Sequence, residues 1–207
     1  MANICRRRSE KQLIEFETVP ELFDPRPYFN KNKALAVELG IGKGRFLRDW
    51  SFQKPQLGIM GVEIKKDRAN RAALKLEDAG CEQTFVVRAD AQDFFTRLPA
   101  ELRFAAIHLN FPDPWPKSRH AKKRLLSPDF IKLYLKHLAG GASLVFVTDD
   151  PNYALEGQEN LRNVESLVDV FQGIRKHWPC YPKSIHEEKF RKWGRTIHYQ
   201  KFIKKVK

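Results

Sequence analysis

Ala34-Leu35-Ala36-Val37-Glu38-Leu39-Gly40-Ile41-Gly42-Lys43-Gly44 decides how this chain of 207 residues folds. The first six residues are apolar except for Glu38, a short run of the kind that fills a buried strand. Three glycines at alternate positions follow, and Gly44 to Trp50 opens a helix. Glycine suits such a turn because a ligand can approach the bare backbone and φ can be positive. The motif alone is a weak sign, since many α/β proteins turn tightly on glycine. Its G-x-G-x-G spacing differs from the G-x-G-x-x-G that seats a dinucleotide pyrophosphate. An acid directly ahead, Glu38, would repel a pyrophosphate and suits a ligand with a cationic centre or amine.

Outward from that stretch, strand and helix patterns alternate. Strands are expected at 57–64, 84–87, 104–109 and 143–148, and late ones at 181–186 and 196–203. Helices are expected at 65–79, 92–98, 128–138 and, as one long element, 153–177. Alternation of this kind implies right-handed crossovers and a doubly wound, mainly parallel α/β sheet, here of seven strands and Rossmann-like. Residues 1–33, rich in turn formers, read as an N-terminal arm, and 34–207 as a single domain. No repeat or linker divides them.

In such a sheet, ligands collect at the carboxyl ends of the strands where strand order switches. Three acids fall there. Glu38 closes the first strand, Glu63 the second, where a carboxylate can accept from both ribose hydroxyls, and Asp90 the third, within reach of an adenine amine. Together with the glycine loop they describe a pocket for an adenosine ligand without phosphates, and S-adenosylmethionine, with its sulfonium and ammonium, meets that description. Taken singly, each acid could be a helix N-cap or a solvated strand end.

Phe111-Pro112-Asp113-Pro114-Trp115-Pro116-Lys117 follows the fourth strand. Three prolines leave its backbone little freedom, so Asp113 and Trp115 hold nearly fixed positions. The next residues turn basic: 117–124 carry five Lys or Arg and no acid, and 189–207 carry eight and again no acid. With Arg6-Arg7-Arg8 they account for much of a net charge of +13, which points to a polyanionic partner. Nucleic acid fits better than an anionic membrane, because no amphipathic helix offers a large apolar face. A basic structural loop is the plainer alternative. Cys5, Cys81 and Cys180 are scattered, lack metal-ligand spacing and read as reduced thiols, so no metal site is expected. The residues after Arg8 are polar and no apolar run nears a membrane span, so a cytoplasmic protein is expected.

Methylation of a base needs the acceptor nitrogen held in line with the methyl–sulfur bond, which an aromatic and a polar group on one rigid turn can do. A ring nitrogen such as guanine N7 already has a lone pair, so no strong base is required. The positive charge it gains could be stabilised by Asp113.

The Val37-to-Gly44 stretch, the block from Phe111 to Arg124, Thr148-Asp149 and Ser184-Ile185-His186-Glu187 stand in the order and spacing of the bacterial tRNA (guanine-N7)-methyltransferases, and the chain resembles that family from about Phe16 onward. The resemblance implies a class I methyltransferase that uses S-adenosylmethionine on guanine 46 of the tRNA variable loop. By position it implies Glu38, Gly40, Gly42, Gly44, Glu63, Asp90, Ala91 and Asp113 as cofactor-binding residues. Asp113 is also the implied catalytic residue. Lys117, Asp149, Ser184 and Glu187 would meet the substrate, and Arg119, His120, Lys122, Lys123 and Arg124 the RNA. Ser184 keeps the hydroxyl of the family's usual threonine without its methyl. Nothing in the sequence chooses between a monomer and a homodimer.

Other residues read as structural. Trp50 and Trp178 belong to the core, His108 to the interior and Asp150 to a strand end or N-cap, while Trp115 reads as a wall of the pocket. Three rival readings remain: a noncatalytic RNA-binding module, an NAD-dependent reductase, and a methyltransferase acting on DNA or protein. Intact glycines and acids oppose the first, and the glycine spacing opposes the second.

Overall fold

A computed structural model describes residues 12–30, 33–115 and 124–206. Their eight strands form one sheet in the order β1-β4-β3-β2-β5-β6-β8-β7. These are β1 (Leu13–Glu15), β2 (Ala34–Leu39), β3 (Leu57–Val62), β4 (Thr84–Arg88), β5 (Phe104–Asn110), β6 (Leu138–Thr148), β7 (Leu167–Asp169) and β8 (His198–Lys204). Pairing is parallel from β1 through β6, and β8 runs antiparallel to both β6 and β7. Between them lie α1 (Arg45–Gln53), α2 (Lys66–Asp78), α3 (Ala91–Thr96), α4 (Pro128–Leu135), α5 (Pro151–Arg162) and α6 (Ile185–Lys192). The doubly wound α/β architecture is as the sequence predicts, with eight strands rather than seven.

Both faces of the sheet are covered, so the central strands are largely apolar, with Glu38, His108 and Asn110 as buried exceptions. Leu35, Val37 and Leu39 of β2 join one core with Phe94, Phe95 and Phe104. Ala36 of β2 and Ala106 of β5 join the other, beneath Phe46, Leu47 and Trp50 of α1. Residues ahead of β2 are tied into the first core. Phe16 and Phe23 pack against Phe94, and the Arg97 guanidinium takes the carbonyls of Phe16, Val19, Pro20 and Glu21.

Two expectations are corrected in the last third. The helix expected over 153–177 stops at Arg162, and Leu167–Asp169 pairs with β8 instead. Leu167 is thereby buried in the core, while Val168 stays exposed at the sheet edge. The strand expected at 181–186 is also absent. Ser184 caps a helix there, its Oγ accepting from the Glu187 N–H at 3.0 Å.

The chain winds outward from β2 through β3 to β4, then returns to place β5 on the other side of β2. The switch point therefore lies between β2 and β5, where Glu38 is in register with His108.

Candidate cofactor and substrate site

Two cavities open at the carboxyl ends of these strands. The first, of about 220 Å³, is lined by Glu38, the 40–43 loop, Arg45, Phe46, Arg68, Asn110 and the start of α6 from Ser184 to His186, with Lys189. The second is a more open cleft of about 630 Å³ bounded by Pro114, Asp149, Asp150, Lys176, Phe190, Arg195 and His198. Helix α6 contributes to both, while β5 reaches the first through Asn110 and the turn after it reaches the second through Pro114. Phe111 packs on α6, its ring 6.2 Å from His186 of the first cavity and 5.7 Å from Phe190 of the second.

The glycine loop is shaped by its own backbone. Gly42 lies at φ +56° and donates its N–H to Glu63 Oε2 at 3.0 Å. Gly44 lies at φ +70°, and a Cβ there would stand 2.7 Å from the Ala72 Cβ, so helix α2 packs directly on the turn. Glu63 Oε1 accepts from the Lys65 N–H at 2.9 Å, so this carboxylate ties the glycine loop to the start of α2.

Glu38 is only 2% exposed. Its Oε1 accepts from Asn110 Nδ2 at 2.9 Å, while Oε2 is buried with no hydrogen-bond partner. Burial pushes this carboxyl up to about 8, with nearby Glu63 adding to the rise and the Asn110 hydrogen bond opposing it. An orphaned acidic oxygen facing a cavity is a place for a cation.

Asp90, the third acid, stands apart from the Glu38 cavity. It is exposed and caps α3, accepting from the Gln92 and Asp93 N–H groups, with Ala91 as the first helical residue. Asp113 is exposed on a turn held under strain: Phe111 at φ 53° and Trp115 at φ 43° flank it in the left-handed region, which costs non-glycine residues on the order of 1–3 kcal/mol each. Arg124 clamps that turn, donating from Nε to the Pro114 carbonyl at 2.8 Å and from Nη2 to the Trp115 carbonyl at 2.9 Å. Its Nη1 pairs with Glu156. Of the residues expected on RNA, Arg124 is thus engaged within the protein, and Arg119, His120, Lys122 and Lys123, with the expected substrate residue Lys117, lie outside the described residues.

At the substrate side, Asp149 pairs with Arg195 across the open cleft. Glu187 is buried and turned inward, its Oε1 accepting from Tyr199 Oη at 2.6 Å and from Arg191 Nε at 3.0 Å. Ser184 lines the first cavity while capping α6. His186, between the cavities, is held below the ordinary imidazole value by burial, Arg68 and Lys189; Asp149 and Asp113 oppose the shift. Asp150 caps α5, with Oδ1 accepting from the Tyr153 N–H. Trp50 and His108 are buried.

Sequence reasoning missed Asn110 and Tyr181. Asn110 lies two residues beyond His108, so strand alternation puts both on the face of β5 that carries Glu38's partner position. That signal was available. Tyr181 arrives from far along the chain and left none. Among the described residues no cluster of His, Cys, Asp or Glu could hold a metal ion, and no helix is long and apolar enough to cross a membrane.

A family model described as "Putative methyltransferase" matches residues 32–200. A tRNA (guanine-N(7)-)-methyltransferase of Treponema pallidum is 36% identical over 170 residues, covering 82% of this chain and 67% of that protein. The enzyme of the same name from Chlamydia caviae is 32% identical over 181 residues, covering 86% and 80%. Among solved structures, the 16S rRNA methyltransferase KamB superposes with a TM-score of 0.62 at 14% identity, over 86% of this chain and 90% of that one. The plantazolicin methyltransferase BpumL, solved with S-adenosylhomocysteine (SAH), gives 0.54 at 12%, over 87% and 79%. At such low identities these two similarities speak for the fold.

Proposed function

Since this chain belongs to the bacterial tRNA (guanine-N7-)-methyltransferase family, whose members depend on S-adenosylmethionine, we propose that it methylates N7 of guanine 46 in the variable loop of tRNA. The observation that carries this reading is the wall the two cavities share, helix α6, with Phe111 packed against it. A donor seated against Glu38 and a base entering past Asp149 would meet at that wall.

The donor, when bound, supplies a methyl group made electrophilic by its sulfonium. Gly40 and Gly42 give it open backbone, Gly44 turned toward Ala72 lets α2 support the loop, Glu63 keeps that backbone in place, and Glu38 offers its bare oxygen. Asp90 and Ala91, at the head of α3, would reach the adenine end. Asp113 is the proposed catalytic residue: guanine N7 attacks with its own lone pair, and the carboxylate stabilises the charge the purine acquires. Asp149 and Lys117 would meet the guanine. Ser184 and Glu187 hold the start of α6, and with it one wall of the substrate cleft. Arg119, His120, Lys122 and Lys123 would meet the phosphates.

Methyl-labelled donor incubated with a tRNA transcript, and with the same transcript carrying adenine at position 46, tests the reading. Label mapped to one guanine N7 and absent from the altered transcript is expected. Label in both transcripts would overturn the position, and label only in DNA or protein the substrate class.

A further inference from the structure

Behind Glu38 runs a buried chain of hydrogen bonds for which methyl transfer itself has no use. Asn110 Oδ1 can only accept, so the Tyr181 hydroxyl donates to it, at 2.6 Å. With its one proton committed, the Tyr181 oxygen accepts from His108 Nδ1, 2.9 Å away. Asn110 Nδ2 then donates to Glu38 Oε1. Every hydrogen in the series points toward Glu38. The rings that make it are packed immobile: His108 lies 4° from parallel with Tyr181, with Trp50 at 4.1 Å and Phe46 at 5.5 Å. Burial, reinforced by Lys201, pushes His108 down to about 3, so it keeps a single ring proton to give.

We propose that His108, Tyr181 and Asn110 are positioning residues for the cofactor, a one-way relay that fixes the Glu38 carboxyl with Oε1 satisfied and Oε2 bare, ready to receive the ammonium of the donor's amino-acid end. The proposal rests on reading the Glu38 cavity as the donor site. Asn110 cannot rotate, because Tyr181 holds its carbonyl. Glu38 therefore always meets an N–H on one side, and only a cation or its own proton can satisfy the other. Glu63 faces it from the end of β3, Lys43 and Arg45 from the glycine loop and α1, Arg68 from α2, and His186 and Lys189 from α6. Near neutral pH an arriving ammonium displaces the proton on Glu38, so binding releases one proton.

Calorimetry of SAH binding, in two buffers of different ionisation enthalpy between pH 6 and 9, tests this without turnover. SAH retains the ammonium and lacks the sulfonium; 5′-methylthioadenosine lacks both. Wild-type protein is expected to release a proton on binding SAH and none on binding methylthioadenosine. Tyr181→Phe frees Asn110 to turn, and should weaken SAH about tenfold and raise the pH midpoint of proton release, with methylthioadenosine affinity unchanged. His108→Phe, which keeps the ring stack, should do the same more weakly, by about threefold. The relay is overturned if Tyr181→Phe keeps wild-type SAH affinity and midpoint, if both ligands weaken equally, or if SAH binds the wild-type protein without releasing a proton. Wild-type protein that binds neither ligand would instead remove the donor-site reading, and the relay with it.

Discussion

Glu38 and Asp113 are both acids near the carboxyl ends of adjacent strands, yet the fold treats them in opposite ways. Glu38 sits inside β2, 2% exposed, with one oxygen held by Asn110 and the other bare. Asp113 stands in solvent three residues past the end of β5, on a strained turn clamped by Arg124. The buried acid is specified by the sheet: its place follows from strand register and from a core that excludes water. The exposed one is specified by a loop, and its place follows from prolines and one guanidinium. A cavity of the first kind suits a small cationic ligand that must be enclosed. A ledge of the second kind suits a base carried in by a large polyanion.

The largest effect that sharpens this contrast is expected from Asp113→Ala. It should lower kcat by at least about 100-fold, the scale of a lost charge-stabilising group, with tRNA affinity nearly unchanged. A large loss of affinity in binding assays would make Asp113 an RNA-shaping residue instead. Gly44→Ala comes next, because the new Cβ meets Ala72 at 2.7 Å in a left-handed backbone; denaturant titration should show about 2–4 kcal/mol lost.

Glu38→Gln separates binding from stability. In the unfolded chain this carboxyl titrates near its ordinary 4.5, and in the folded chain near 8. The folded state thus holds the extra proton between those values, and stability falls as pH rises from about 4.5 through 8. The variant should escape that fall, gaining about 3 kcal/mol on wild type between pH 6 and pH 9, while losing SAH binding. Parallel melting curves for the two proteins across that range would contradict it.

Arg124→Lys is expected to do less, lowering kcat by about tenfold, because an ammonium cannot fork to two carbonyls as a guanidinium does. The salt slope of tRNA binding in Arg124→Gln, which removes the charge, decides Arg124's partner. A phosphate contact would reduce that slope by about one, whereas a residue spent on Pro114, Trp115 and Glu156 leaves it unchanged.

The same contrast separates what was legible in the sequence from what was not. The strands flanking the switch point were readable because both their faces are buried, which makes them continuous apolar runs. Glu38 stood out for the same reason, as one acid in such a run. The edge strands β1 and β7 have three residues each, too few for any period. Ser184 and Glu187 were read only as a substrate motif, although Ser-x-x-Glu is also the signature of a helix start, and the helix is what the structure has. Arg124 was read by its charge, and a guanidinium turned back onto backbone carbonyls shows the same charge in a sequence. Tyr181 joins the site through a contact 71 residues away from Asn110, which no local pattern records.

A crystal structure with S-adenosylhomocysteine bound tests the division of labour most directly. The ligand is expected in the Glu38 cavity, its amino group on Glu38 Oε2 and its backbone contacts along the loop at Gly42, with the sulfur turned toward Phe111. A ligand found instead in the open cleft beside Asp149 and Lys176 would contradict it.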